Sequence, residues 1–351
     1  MKKVHPSIKK PQNVAVFRLS AIGDVVMCSA LVLKLKELYP EANIYWITTK
    51  MTCKVFTKID GVEWIVIKKP KKIKDWLDLR SIFKKYHFDL TICCQANARV
   101  NLIYPLIQSS WKLGFDRKRG HAFHHFFVDE TISYKEEHLQ DGFLHFAEHL
   151  GANSSDFLGW PINVYENDCS NLLKELEING SYLVINPMAS KQERSWNVSN
   201  HVTLIKKIHQ YYPKVQIVLS GGSGNKEVEM SNEIVRKGGF TQVKNLTGKT
   251  NIADVFKLLK KAKLLIAPDT GPVHMARCLN IPVIGLYAVA RVELTGPYQA
   301  MNFCVNKYGE AVKKFLGKSH DKISWHTRVH HPDAMSVIKV DDVFEKVTEI
   351  L

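Results

Sequence analysis

Apolar residues in this chain fall into short clusters of β-branched and aromatic type, and most clusters are followed by a longer stretch with apolar residues at helical spacing. "NVAVFRL" (13–19) leads into a predicted helix from about Val25 to Tyr39, whose Met27, Leu31, Leu35 and Leu38 fall on one stripe. "ANIYWITT", "EWIVIK" and "FDLTICC" have the make-up of further buried strands, with helical stretches between them. "GWPINVYEND" (159–168) reads as an extended connector, after which the alternation restarts. "SYLVINP", a helix near 198–211, "VQIVLSGG", helices near 225–238 and 251–260, "KLLIAPD", a helix over about 271–279 and "IPVIGLYA" follow in turn. The closing "VDDVFEKVTEIL" reads as a terminal helix.

Strand–helix alternation predicts parallel sheets wound on both faces. Two such series predict an α/β chain of two Rossmann-like domains facing across a cleft, with boundaries at 1–165 and 166–335 and a final helix at 336–351. The length of 351 residues, long for a single core, agrees with two domains. With 45% apolar and 24% charged residues the composition is that of an ordinary globular protein. No apolar run approaches the ~20 residues that span a bilayer. The start "MKKVHPSIKKPQ" has the charge of a signal peptide without its apolar core, so the expected location is cytoplasmic. Seven scattered cysteines with no C-x-x-C agree with reduced thiols.

Charge adds a second theme. Lys and Arg number 49 against 34 Asp and Glu, a net charge of +15, and eight of the basic residues lie in "IKKPKKIKDWLDLRSIFKK" (67–85). Ile73, Trp76, Leu77, Phe83 and Tyr86 recur there at roughly helical spacing, which predicts an amphipathic helix with a basic face. Such a face is either simply solvated or meets an anionic membrane surface or polyanionic substrate. No recognised nucleic-acid module accompanies it, so nucleic acid is not an expected partner.

In open parallel sheets ligands bind beyond the carboxyl ends of the strands, which directs attention to loops 19–24, 187–196, 220–226 and 268–274. In "RLSAIGDVVM" (18–27) the turn after the first strand carries a carboxylate, Asp24, at the mouth of a helix. In "IAPDTGPVHMA" (266–276) an apolar strand ends in a turn of small polar residues that opens another helix. Asp269 or Thr270 can cap that helix, Pro272 suits its first turn, and Gly271 permits close backbone approach. Free amides and the positive helix end then make an anion site suited to a diphosphate, with His274 one turn in. The plainer alternatives are a capped helix with a buried histidine, and an Asp24 that only caps its own helix.

"SAIGDVV" and "PDTGPVHMA" together resemble the two signature stretches of glycosyltransferase family 9, the ADP-heptose:lipopolysaccharide heptosyltransferases. "NPMASKQERSWN" (186–197) is similar to the family's loop after the first strand of the second domain, and "LSGG" followed by Glu227 to its ribose-binding turn. The order and separation of all four agree. The resemblance implies a GT-B fold with the acceptor on the first domain and the nucleotide-sugar donor on the second. It also implies inverting transfer without a metal or other cofactor, from an ADP-sugar to a lipid A–Kdo or inner-core lipopolysaccharide acceptor. On that pattern Asp24 matches the general base and Arg194 a diphosphate contact. Asp269, Thr270, Gly271 and His274 match the phosphate loop, and Glu227 the ribose contact. Ser190, Lys191 and Gly222 lie in the same donor loops.

Chemistry agrees with these assignments. Inversion needs a base on the acceptor side and stabilised charge on the leaving group. No D-x-D occurs in the chain, and Arg194, Lys191 and the helix end at 270 are the alternative source of positive charge. "GFDRKRGHAFHHFF" (114–127) offers Arg117, Lys118 and Arg119 to an acidic acceptor, with plain surface charge as the alternative. His121, His124 and His125, and the pair His145 and His149, lack cysteines or carboxylates at ligand spacing, so no metal site is expected. "GGSGNKE" lacks the G-x-G-x-x-G spacing of a dinucleotide fingerprint. The chain departs from the family pattern at Met27, where histidine is common, at Ala30, where proline is, at Arg194, commonly lysine, and at Asn197, often proline. A UDP-sugar transferase, a nucleotide-sugar epimerase and a non-catalytic nucleotide-sugar or lipopolysaccharide-binding protein remain the rival readings. At the membrane, the positive surface suits peripheral work on the inner face of the cytoplasmic membrane.

Overall fold

Six parallel strands in the order β3-β2-β1-β4-β5-β6 form the first sheet: β1 (Asn13–Phe17), β2 (Asn43–Thr48), β3 (Val62–Val66), β4 (Leu90–Cys93), β5 (Lys112–Gly114) and β6 (Glu130–Thr131). The computed structural model describes residues 10–53, 55, 56, 59–153, 157–163 and 166–351, and divides into two compact units, Met1–Asn163 and Val164–Leu351. Val14 to Phe17 are all buried, as expected of a strand covered on both faces. Helix α1 (Ile22–Leu38) packs on α3 (Leu139–His149). Helix α2 (Ile73–Phe83) and residues 98–107 close a separate core cluster over Ala15, Phe17, Leu19, Ile47 and Ile65.

Two expectations change here. Helix α1 is buried on nearly every side rather than along one stripe, and even Lys34 is covered, its Nζ 2.7 Å from Glu37. A helix apolar all round is one enclosed by neighbours. In α2 the predicted stripe splits: Leu79 and Phe83 are buried with Trp76 and Tyr86 packed beside them, whereas Ile73 and Leu77 point to solvent.

The second sheet repeats the topology, with order β12-β11-β10-β7-β8-β9. Its strands are β7 (Tyr182–Ile185), β8 (Gln216–Leu219), β9 (Lys244–Asn245), β10 (Leu265–Pro268), β11 (Val283–Tyr287) and β12 (Val305–Asn306). Read from β9, the order is again third, second, first, fourth, fifth, sixth, so the strand order reverses between the first and fourth strands of both sheets. Helix α4 (Glu166–Glu175) takes up the last residues of the predicted connector; Val164 and Tyr165 lie outside the described residues. Helices α5 (Val198–Tyr211), α6 (Asn225–Gly238), α7 (Ile252–Lys261) and α8 (Gly271–Cys278) follow. The final helix α9 (Val340–Ile350) places Val343, Phe344 and Val347 in the second unit's core instead of standing apart from it. Among the described residues no helix is long and apolar enough to cross a membrane.

Each unit also encloses a neutral histidine. Burial lowers the pKa of His124 and of His201 from 6.5 to about 4. Below pH 6.5 the unfolded chain therefore takes up protons that the folded chain refuses. Stability is greatest above that value and falls as the pH drops toward 4, by on the order of 3 kcal/mol per histidine. Urea unfolding measured from pH 7 to pH 4 should show this acid slope, and His201→Leu should flatten the second unit's share of it; an unchanged slope would refute the assignment.

Candidate active site

In a doubly wound sheet the crevice lies where strand order reverses, because the helices leaving the two central strands go to opposite faces. In the second unit those strands are β7 and β10, and one arginine ties their loops together. Arg194, at the end of the short 3-10 turn Gln192–Arg194 after β7, donates from Nη1 to Asp269 Oδ2 at 2.8 Å, after β10. Its Nη2 donates to Ser190 Oγ at 2.8 Å. Both members of the Arg194–Asp269 pair are largely buried, which makes it stronger than an exposed ion pair. Trp196 anchors the β7 loop beneath, with its Nε1 donating to the Ile338 carbonyl at 3.0 Å.

Thr270 occupies the N-cap of α8, but neither side chain expected to cap the helix does so: Thr270 makes no side-chain cap bond, and Asp269 turns to Arg194 instead. In this first turn Pro272 has no N–H and the Val273 amide donates to the Thr270 carbonyl at 3.1 Å, so the Gly271 amide is the one left to whatever binds there, with no side chain on Gly271 in the way. His274 is buried in the next turn. Lys191 is exposed at the N-cap of the 3-10 turn. On the neighbouring strand β11, burial raises the pKa of Tyr287 well above its usual value; Asp269 adds to the shift and Arg194 opposes it.

After β8 the chain makes the Gly221–Gly222 turn. Glu227, in the first turn of α6, accepts from the Gly222 amide at 2.6 Å. A Cβ on Gly222 would lie 3.0 Å from the Glu227 carboxylate, so glycine is what lets the acid fold over the turn. Asn186 links β7 to this turn, its Nδ2 donating to the Ser220 carbonyl at 2.8 Å. Thr247 and Gly248 lie alongside, the Gly248 amide donating to the Gly221 carbonyl at 3.1 Å. Tyr287 and Thr247 escaped sequence reasoning, for they carry no motif, and Asn186, though it opens "NPMASKQERSWN", was not singled out; their positions at or near strand ends were the available signal.

The first unit builds its crevice between β1 and β4 around an acid. Asp24 stands not in a turn before the helix but within the first turn of α1, which begins at Ile22. Its Oδ2 accepts from the Ala21 amide at 3.2 Å, so the capping role is real. The same oxygen is paired with Arg18, whose other amino group reaches the Cys94 carbonyl and whose guanidinium lies 5.2 Å from the Phe143 ring centroid. Lys69 Nζ donates to Ser20 Oγ at 2.6 Å, and its pKa is lowered by burial and by the nearby Arg99 and Arg18. Three cations thus gather at these strand ends. Sequence reasoning missed Arg18 and Arg99, and counted Lys69 only as part of a basic run.

The three basic residues after β5 separate. Arg117 and Lys118 are exposed. Arg119 instead turns into the loop, paired with Asp116 through Nε and with Glu137 through Nη1 at 2.7 Å, and donating to the Ser133 carbonyl at 2.7 Å. Three of its five N–H groups are thus engaged within the loop, and Arg119 is half-buried where Arg117 and Lys118 are exposed. His124 is engaged on both nitrogens: Nε2 accepts from the Phe115 amide at 3.3 Å, so Nδ1 carries the proton toward Asn101 Oδ1 at 2.9 Å. Among the described residues no group of three or more His, Cys, Asp and Glu side chains is arranged to hold a metal.

The chain matches the family model described as glycosyltransferase family 9 (heptosyltransferase) over residues 76–323. That stretch takes in Arg194, Glu227 and Asp269 to His274, and begins after Asp24. Among curated relatives, the lipopolysaccharide core heptosyltransferase OpsX of Haemophilus influenzae is 28% identical, over 97% of both chains. Among solved structures, a family 9 glycosyltransferase from Veillonella parvula is 18% identical with a TM-score of 0.78, over 97% of each chain. The Escherichia coli heptosyltransferase WaaC with ADP is 17% identical with a TM-score of 0.72, over 97% of this chain and 100% of that one. The fold shared with these structures is GT-B.

The Arg194 bridge should bind diphosphates without any sugar attached. Titration calorimetry with inorganic pyrophosphate is expected to show about a tenfold or greater loss of affinity in Arg194→Gln, with Arg194→Lys recovering only part, since an ammonium lacks the two-pronged geometry. Equal affinity in all three proteins would remove Arg194 from the site.

Proposed function

This chain belongs to glycosyltransferase family 9, and from that premise we propose that it moves heptose, or a closely related sugar, from an ADP-sugar to the inner core of lipopolysaccharide. The observation that carries the reading is the junction of Arg194, Ser190 and Asp269 beside the uncapped start of α8, at the point where strand order reverses in the second sheet. A pocket of guanidinium and backbone amides is what a diphosphate requires. The names of the relatives, heptosyltransferases of lipopolysaccharide core, supply the sugar and the acceptor class.

The assigned roles follow. The donor diphosphate lies against the α8 amides and Arg194, with Ser190, Lys191, Thr270, Gly271 and His274 around it. Glu227, folded over Gly222, takes the ribose hydroxyls. Both recorded contacts of Asp24 converge on Oδ2, so Oδ1 is the oxygen that accepts the acceptor hydroxyl proton. As the acceptor oxygen bonds to the anomeric carbon on one face, the bond to the diphosphate breaks on the other and inverts the configuration. The departing ADP oxygen gains negative charge, which Arg194, Lys191 and the helix amides stabilise, so no metal is required. Arg117 and Lys118 contact the acidic acceptor, and Lys69 and Arg99 add positive charge at the neighbouring strand ends. In this reading the acceptor is lipid-borne and the enzyme works at a membrane surface, which we assign to the cytoplasmic face.

The decisive experiment incubates the protein with ADP-heptose and a lipid A–Kdo acceptor in the presence of EDTA and measures ADP release, with UDP-sugars as alternative donors. Release with ADP-heptose, undiminished by EDTA, is expected. Asp24→Asn should lower turnover by about a hundredfold or more while ADP binding stays nearly constant, because asparagine can still accept from the Ala21 amide. Equal loss of binding and turnover would reduce Asp24 to a structural cap. Preference for a UDP-sugar would reassign the donor.

A further inference from the structure

The layer that covers the α2 side of the first sheet is made of α2, residues 98–107 and part of the loop after β5. Its inward side chains, among them Leu79, Phe83, Val100, Ile103 and Tyr104, close the core. The same elements also carry Ile73, Leu77, Leu102, Phe123 and Phe126, which are exposed at 82, 61, 53, 71 and 74%, five of the nine exposed large apolar side chains among the described residues. Single exposed apolar residues are ordinary, but their concentration in one layer is not.

The layer also holds its aromatic tip rigidly. Ala122 and Phe123 have φ of 52° and 59°, a left-handed conformation that a bulky residue rarely adopts. Asn101 fixes that backbone by donating to the carbonyls of His121 at 3.0 Å and Ala122 at 2.8 Å, and His124 packs edge-on against Tyr104. The rings of Phe123 and Phe126, 6.2 Å apart, are thereby presented outward as a pair. Cations surround the apolar residues. On α2 the helical repeat sets Arg80 and Lys84 beside Ile73 and Leu77, with Lys74 at the flank and Lys71 and Lys72 just before the helix, all exposed. Arg99 is exposed near Leu102, and Arg117 and Lys118 open the loop that ends in the two rings.

We propose that this layer is a membrane-docking face. Phe123, Phe126, Ile73 and Leu77 enter the interfacial region of an anionic phospholipid leaflet, and the interleaved lysines and arginines pair with headgroup phosphates. The inference deepens the reading of a lipid-borne acceptor and rests on it. The chemistry favours a bilayer over other partners. Lysine is depleted from the cores of protein interfaces, and a nucleic-acid strand could stack on the two phenylalanine rings but would leave Ile73 and Leu77 without a partner. Scattered aromatic and aliphatic anchors among cations are what an interfacial leaflet accommodates.

Cosedimentation with vesicles of phosphatidylethanolamine and phosphatidylglycerol, against phosphatidylcholine alone, tests the proposal. The unaltered protein should bind the anionic vesicles preferentially and be released by salt. Phe123→Asn with Phe126→Ser should weaken binding by about tenfold or more; asparagine tolerates the positive φ of position 123. Ile73→Ser with Leu77→Ser should act similarly, and Lys74→Glu should cost roughly fivefold or more. Transfer to an acyl-free, water-soluble acceptor should be unchanged in every variant, which also shows that each is folded. Variants that bind vesicles normally, equal binding to neutral vesicles, loss of transfer to the soluble acceptor in the variants, or a self-association that the phenylalanine substitutions abolish would each overturn the proposal. If the unaltered protein binds anionic vesicles as expected but transfers no sugar even to the soluble acceptor, the enzymatic reading fails while the docking face stands.

Discussion

The reversal of strand order at the centre of each sheet is the constraint on which the rest depends. Where the chain leaves β1 for one face and β4 for the other, the following loops diverge, and backbone groups at the strand ends are left without strand partners. The same happens between β7 and β10. Asp24, Arg18 and Gln95 gather at the first of these points, the Leu19 amide donating to Gln95 Oε1 at 2.9 Å. Ser190, Arg194, Asp269 and the start of α8 gather at the second. One topology, used twice, thus makes two preformed hollows at predictable places.

What fills each hollow is decided in the first turn of one helix. In α1 the chain supplies its own anion: Asp24 takes up the Ala21 amide and the Arg18 guanidinium, so the helix end offers no welcome to a second negative charge. In α8 the corresponding positions are Gly271, Pro272 and Val273, and the carboxylate that precedes them is drawn aside by Arg194. The Gly271 amide stays free of a side-chain cap, and the arginine is held beside it by Asp269 and Ser190. Preorganisation of this kind matters more than the number of charges, because a guanidinium held on two sides loses little freedom when a diphosphate arrives. An acid at the strand ends of one unit and a guanidinium beside a helix start in the other are the two groups on which the proposed division between acceptor and donor rests.

The central strands were legible, because β1, β4, β7 and β10 are largely apolar runs, with only Asn13 and Thr91 polar, and the loops after them carry polar residues. The short outer strands β5, β6, β9 and β12 were not legible. Two or three residues carry no periodicity, and their pairing is set by the neighbouring strand. Nor could spacing distinguish Arg119 from Arg117 and Lys118. All three are basic and adjacent, and what separates them is Glu137, eighteen residues from Arg119 along the chain and 2.7 Å from it in space. The Arg18–Asp24 pair was missed for a different reason. It is local, but Arg18 reads as the end of a strand, and only the bend of the chain through Ser20 and Ala21 turns its side chain back on the helix.

Helix α2 shows most plainly why periodicity stops short of function. Its apolar residues fall on two adjoining stripes, Trp76, Leu79 and Phe83 facing the sheet, and Ile73 and Leu77 facing away. At about 100° per residue the two merge into one broad band in the sequence, and nothing in the spacing says where the band divides. Packing divides it. The inward stripe packs with Phe88, Tyr104 and Ile107. Ile73 and Leu77 are left over among lysines, and so are Phe123 and Phe126, held out by a backbone that could have turned them inward only by giving up the hydrogen bonds to Asn101. Apolar side chains that a fold fixes in place and does not use for its own core mark the surface where another phase completes the burial.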